Sequence, residues 1–349
     1  MNKEFFCPGP VNIEESVKKE IINLSSHRSK EFISILEECY HNTLKLFNID
    51  NYNDKNGDSF FSALFLTGSG TLAIESMIYS YLKYKKVLIL SNGFFGERWY
   101  DMIKNYSSNF KYLKFEWNNE FDYSLIESEL ENNYDILFFV HHETSTTMIN
   151  DIEILNNICK KKNTNIVIDA VSSVGIYNID LKKYDMIIGL GFSSNKCIGS
   201  YPGLSIVVFK TYDLKNMSKN ISYLNLYNYY EYMKIFQTPY TPCIQNFYAY
   251  NLSLKNILNK NYNVKSYYDD LMLYFKQKLL EKNLVPVLKK NQCNWVINIL
   301  YENPNYIYNK LYNENIIIYK CKNSLQDIAI QIALFNKTNK DIDKLVRLL

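Results

Sequence analysis

The sequence predicts an α/β protein, with a large domain built on a mainly parallel sheet and a small α+β domain after it. Three observations lead there. Between about residues 60 and 210, short apolar runs alternate with amphipathic helical stretches, the pattern of βα units around a parallel sheet. After about residue 245, long helical stretches with few strands take over. The chain has 349 residues, 47% hydrophobic and 21% charged, which is enough for one large core and a smaller companion.

The elements follow in order. The strand "FFSALFLTG" leads into the helical "TLAIESMIYSYLKY", "KVLILSNG" into "GERWYDMIKNY", and "FKYLKFE" into "YSLIESELENN". "YDILFFVHHE" precedes the helical "INDIEILNNICKKKN", and "TNIVIDAVSS", "YDMIIGLGF" and "GLSIVVFK" complete a set of seven strands. Beyond them, "FYAYNLSLKNILNKNYNVKSYYDDLMLYFKQKLLEKN" reads as helical. "CNWVINILY", "IYNKLYNENIIIYK", "DIAIQIALF" and the closing helix "NKDIDKLVRLL" read as α+β. The expected division is an N-terminal segment, 1–20, packing with the small domain, a large domain over 21–245 and a small domain over 246–349.

Composition removes several classes of function. The formal charge is only +3 and no basic tract occurs, so nucleic acid is not an expected partner. No apolar run approaches the ~20 residues of a membrane span, and "MNKEFFCPGPVNIEE" lacks a signal peptide's apolar centre. Seven cysteines without a C-x-x-C pair speak for a reducing compartment, so the expectation is a soluble, cytoplasmic protein.

A parallel sheet presents its ligand at the carboxyl ends of its strands, and the unusual polar residues fall there. "TGSGT", Thr67–Thr71, ends a strand and opens a helix, which suits either a tight turn or an anion held by helix N–H groups. Asp169 ends the run "IVID", as a cap or as the partner of a cation. "HHETSTT", residues 141–147, brings hydroxyls and a carboxylate. Its two histidines have no third ligand at a recognisable spacing, so no metal is expected. Lys196, in "SSNKCIGSYPG", stands where two buried strands meet. Either its head escapes to water, or it is a desolvated amine able to form a Schiff base. A phosphate turn, an aspartate and a lysine in that order suit pyridoxal 5′-phosphate, which needs a helix N-terminus, a carboxylate and an amine.

The motifs "FFCPGPVNI", "SSHRSKEF", "LTGSGTLAIESMI", "SNGFFGERW", "HHETSTT", "IDAVSSVG" and "SSNKCIGSYPGLS" occur in order from residue 5 to about 250. Together they resemble the class V, fold-type I pyridoxal-phosphate aminotransferases, in the alanine–glyoxylate, serine–pyruvate and 2-aminoethylphosphonate–pyruvate branch. The resemblance implies an aminotransferase that moves an amino group from a small amino acid or aminophosphonate to an oxo acid such as pyruvate or glyoxylate, with ping-pong kinetics. It implies that Lys196 carries the cofactor and shuttles a proton, and that Asp169 holds the pyridinium nitrogen. Ser69, Gly70 and Thr71, with Asn195, would bind the phosphate. Phe95 would stack on the ring, and Thr144 would lie near the phenolic oxygen. Thr238 and Thr241 would reach the phosphate of a neighbouring subunit, which implies a homodimer with shared sites. The family's carboxylate-binding arginine falls at Gln331, a neutral residue that cannot balance a carboxylate. Arg28, Lys320 and Lys322 are therefore alternative cations for the substrate. The same gap, with Cys321 near it, leaves a lyase, decarboxylase or desulfurase as the alternative reaction.

Overall fold

A computed structural model of the chain describes residues 3–52, 60–82, 85–212 and 219–349. Residues 1–2 of the expected N-terminal segment, and 83–84 at the end of the helical stretch "TLAIESMIYSYLKY", lie outside the described residues. The chain opens with β1 (Glu4–Phe5), α1 (Glu15–Lys19) and α2 (Lys30–Lys45), and the Ser29 side chain caps α2 by accepting from Phe32 N. Then come β2 (Phe61–Gly68), α3 (Gly70–Tyr81), β3 (Val87–Ser91), α4 (Phe94–Ile103), β4 (Phe110–Lys114), α5 (Tyr123–Glu129) and β5 (Ile136–Val140). A small hairpin, β6 (His142–Glu143) and β7 (Met148–Ile149), precedes α6 (Ile152–Lys162), β8 (Asn165–Asp169), β9 (Ile187–Ser193) and β10 (Gly203–Lys210). After α7 (Leu226–Met233), α8 (Ile244–Leu258) and α9 (Val264–Leu280) come β11 (Val296–Leu300), α10 (Pro304–Asn313), β12 (Ile316–Ile317), β13 (Tyr319–Lys320), β14 (Ala329–Ala333) and α11 (Asn339–Leu348).

The large sheet has seven strands in the order β2-β10-β9-β8-β5-β3-β4. β10 runs antiparallel to both neighbours, and every other pairing is parallel. Strands β3, β5 and β9 are buried along their whole length, which is why they read as continuous apolar runs and not as alternating ones. The edge strand β4 is mixed in exposure and carries Lys111 and Lys114. This topology brings Gly68, Asp169 and Ser193 to one rim as strand ends, and Gly203 starts β10 at the same rim, opposite Gly68. The β9–β10 connection, which holds Lys196, crosses that rim.

The small domain centres on the sheet β11-β14-β13, and β1 pairs with β12 in parallel. Phe6 and Val11 belong to its core. The long helical stretch is two helices, because the polar "NKNYN" offers no apolar face to continue one. Asn263 restarts the chain as the cap of α9, accepting from Ser266 N. Phe247, Tyr250 and Leu254 of α8 lie in the large core, whereas Tyr268, Leu271 and Phe275 of α9 lie in the small one. The change of core thus falls between α8 and α9. Among the described residues, no helix is long and apolar enough to cross a membrane.

Candidate active site

At the rim lies a cavity of about 190 Å³. Ser69, Gly70, Thr71, Phe95, Asp169, Asn195 and Lys196 all line it. The first N–H groups of α3 have no intrahelical acceptor and carry the positive end of the helix dipole. Ser69 is the N-cap residue of α3, with no side-chain cap bond of its own. A Cβ on Gly70 would stand 3.0 Å from Val171 and 3.3 Å from Ser193 Oγ, so glycine keeps this end of the cavity open. Ser193 Oγ is itself buried without a partner among the described residues.

Asp169 is buried at the end of β8. Its Oδ1 accepts from Val171 N at 2.9 Å and its Oδ2 from Trp99 Nε1 at 3.2 Å. Burial pushes its carboxyl up to about 6, against the pull of those bonds and of the Arg98 and Lys196 charges. Lys196 Nζ donates to Pro8 O at 2.9 Å, and burial lowers its pKa. Among the described residues, the lysine's one hydrogen-bond partner is thus a backbone carbonyl of the N-terminal segment. Gly9 lies close against it: φ there is +149°, and a Cβ would stand 2.5 Å from Nζ.

Phe95 is held by a device the sequence reading missed. The Glu143 carboxylate accepts from Phe95 N at 2.9 Å and Gly96 N at 3.0 Å, capping the start of α4, and from Ser145 N and Oγ. Burial pushes this carboxyl up to about 7. Arg98 was missed as well. It lines the cavity, donates from Nη1 to Thr71 Oγ1 at 3.2 Å, and lies 5.0 Å from the Phe95 ring centroid. The available signal was the i, i+3, i+4 spacing of Phe95, Arg98 and Trp99, which places them on one face of α4.

Other expected residues lie elsewhere. Thr144 is buried beside the site but does not line the cavity, and its carbonyl accepts from Gln331 Nε2 at 2.8 Å. Gln331 Nε2 also donates to Asn298 Oδ1 at 2.9 Å, and Asn298 Nδ2 donates to Ser145 O at 3.0 Å. Across β11 and β14 these two amides tie the small sheet to the 144–145 segment, so the Gln331 amide hydrogens are committed to protein oxygens. Arg28 is exposed and bonds Gln237 Oε1, away from the cavity lining. Thr238 is buried and Thr241 exposed, and within this chain neither lines the cavity. Lys320 donates to Asn305 Oδ1 at the surface. Burial lowers His141 to about 3 and His142 to about 4, so both rings are neutral. His142 Nδ1 bonds Ser172 O and, since a carbonyl only accepts, carries the ring proton. Among the described residues, no cluster of His, Cys, Asp or Glu is arranged to hold a metal ion.

A family model, Aminotransferase class-V, matches residues 15–326. The chain belongs to the class-V aminotransferase family. This family member is 31% identical over 271 residues to an uncharacterized aminotransferase of Methanocaldococcus jannaschii, covering 74% of this chain and 67% of that one. It is 27% identical over 233 residues to the 2-aminoethylphosphonate–pyruvate transaminase of Bacteroides fragilis, covering 64% and 55%. The matches span about half to two thirds of these relatives' lengths. The alanine–glyoxylate aminotransferase of Nostoc sp. shares the fold, with a TM-score of 0.90 at 22% identity over 100% of this chain and 94% of that one.

The class-V family works with pyridoxal 5′-phosphate, and the cavity fits it. The open helix terminus beside the unpartnered Ser193 hydroxyl suits a phosphate. Asp169 suits a protonated ring nitrogen, and a buried lysine of lowered pKa suits an aldehyde. Gly9→Ala is expected to push Lys196 off Pro8 and slow its bonding to the cofactor by about 10²-fold, the scale for a reacting group misplaced by ~1 Å. The check is the rate of absorbance change when pyridoxal phosphate meets the cofactor-free variant. A wild-type rate would mean that Gly9 does not set the lysine's position.

Proposed function

We propose that this chain is a pyridoxal-phosphate-dependent aminotransferase that moves an amino group from a small amino acid or aminophosphonate to a 2-oxo acid such as pyruvate or glyoxylate. The observation that carries the reading is the meeting of Lys196, Asp169 and the α3 N-terminus in one cavity. When bound, the cofactor supplies an aldehyde that joins to amines and a ring that takes up negative charge. Lys196 Nζ, its pKa lowered by burial, would be the amine that holds it, and once released the same atom would move a proton to and from the substrate carbon. Asp169 keeps the ring nitrogen protonated. Ser69, Gly70, Thr71 and Asn195 bind the phosphate, and Phe95, fixed by Glu143, lies against the ring. Thr144, buried beside the cavity, would lie on the side of the phenolic oxygen. A second copy of the chain brings Thr238 and Thr241 to this phosphate, so the working unit is a homodimer. The seven cysteines, all free, suit the cytoplasm.

Cys321 weighs against a reaction that needs a cysteine nucleophile. It is buried against Leu325 and Ala329, and burial pushes its thiol up to about 12. The test is a half-reaction. The cofactor-loaded protein is mixed with amino acids and aminophosphonates, without an oxo acid. One of them is expected to replace the cofactor's aldehyde absorption by that of its amine, and pyruvate or glyoxylate to restore it. Release of product over many turnovers without any oxo acid would overturn the reading in favour of a lyase.

A further inference from the structure

Gln331 leaves the substrate's acidic group without a counter-charge, because both its amide hydrogens are used on Thr144 O and Asn298 Oδ1. Among the described residues, two further cations lie at Phe95, a residue of the cavity wall. Arg98 lines the cavity from α4. Lys322 comes from the small domain, just after β13, and its Nζ stands 3.6 Å from the Phe94 ring centroid and 5.6 Å from that of Phe95. The Arg98 guanidinium lies 5.2 and 5.0 Å from the same two rings. Two cations from different domains therefore gather on one aromatic pair, and one of those rings, Phe95, is in the cavity wall.

Neither cation has an ion-pair partner among the described residues. The carboxylate nearest in influence, Glu143, is occupied by four donors at the start of α4. The acids on α4 are paired too, Glu97 with Lys114 and Asp101 with Lys104. Loss of water around the Lys322 ammonium lowers its pKa, Arg98 lowers it further, and Glu143 opposes both. Two like charges gathered on one aromatic pair repel each other, and an anion between them removes that cost. The aromatic faces below favour cations and offer nothing to a carboxylate, so the anion's partners are the two side chains themselves.

We propose that Lys322 and Arg98 together form the seat for the substrate's acidic group, a carboxylate or a phosphonate, in place of an arginine on β14. The proposal rests on the aminotransferase reading for the word substrate; the anion seat itself is testable by binding alone. Because Lys322 comes from the small domain and Arg98 from the large one, an anion bound to both also bridges the domains. The Lys322 side chain is exposed, so replacing it leaves the core untouched.

The test titrates cofactor-loaded wild-type, Lys322→Gln, Lys322→Arg and Arg98→Gln proteins by calorimetry. The probes are pyruvate, methylphosphonate and, as a neutral-tailed amine, ethylamine. Lys322→Gln is expected to weaken pyruvate, methylphosphonate or both by about tenfold or more and leave ethylamine unchanged, while Lys322→Arg keeps anion binding within about threefold. Which anion loses more tells carboxylate from phosphonate as the natural group. Unchanged affinity for both anions in Lys322→Gln overturns the proposal, and so does an equal loss for ethylamine. A fall in pyridoxal phosphate affinity for Arg98→Gln with anion binding intact assigns Arg98 to the cofactor's phosphate and overturns the pairing. If no amino donor converts the cofactor and yet Lys322→Gln selectively loses anions, the aminotransferase reading fails and the seat stands.

Discussion

Lys196→Ala protein is expected to take up pyridoxal phosphate without bonding to it and to turn over at least ~10⁴-fold more slowly than wild type. An ammonium with one carbonyl partner is poorly compensated in this cavity, and the protein answers by lowering its pKa, which raises the share of neutral amine able to attack an aldehyde. On the proposed reading, alanine removes both the point of attachment and the atom that moves the proton. The phosphate turn and Asp169 remain, so non-covalent uptake persists. Two measurements check this: borohydride should fix the cofactor to wild-type chain and not to the variant, and added methylamine should restore part of the rate by replacing the missing amine. A variant that borohydride still labels would mean that another lysine carries the cofactor, and a rate within tenfold of wild type would remove Lys196 from the proton transfer.

How much of this was legible in the sequence follows from what each residue's signal depends on. The strands of the large sheet were legible because burial on both faces writes itself as unbroken apolar runs, and Asp169 and Lys196 stood out as polar residues at the ends of such runs. Arg98 did not stand out, since "FFGERWYDM" reads as any half-buried amphipathic helix; only the site at its N-terminus gives the arginine a role. Glu143 was visible as a carboxylate, but its service as the cap of a helix 47 residues earlier in the chain depends on the β5–β6 rim. Pro8 and Gly9 lie over Lys196 only because β1 pairs with β12, a pairing between segments that share no local pattern. Gln331 was visible as a neutral residue in an apolar strand, whereas the commitment of its amide to Thr144 O is a contact between domains. The break between α8 and α9 was hidden because both flanks keep a helical period and only five polar residues interrupt it.

Asp169→Asn is expected to slow turnover by about 10²–10³-fold, the scale for removing one preorganised charge from a reacting centre. Its pH behaviour gives the sharper check. Burial raises the Asp169 pKa from 3.8 to about 6, so the carboxylate is charged above pH 6 and protonated below it. A charged carboxylate pairs with the protonated ring nitrogen, and wild-type affinity for pyridoxal phosphate should fall by about tenfold per pH unit as pH drops below ~6. The cofactor's phosphate also titrates near there, but it does so equally in both proteins, so the difference between wild type and variant isolates Asp169. The raised pKa has a second effect on the cofactor-free fold. The protonated carboxyl's advantage is whole below about pH 4 and is lost as pH rises through 6, so wild-type stability declines across that window where the variant's does not. Asparagine also turns an amide towards one of the two donors, Val171 N or Trp99 Nε1, a local cost of about 1–3 kcal/mol. Trp99→Phe removes that donor while keeping the carboxylate, and it should retain the pH-dependent affinity that the asparagine variant loses. Parallel pH profiles for wild type and Asp169→Asn would take the ring-nitrogen charge away from Asp169 and leave it only as a partner of Trp99.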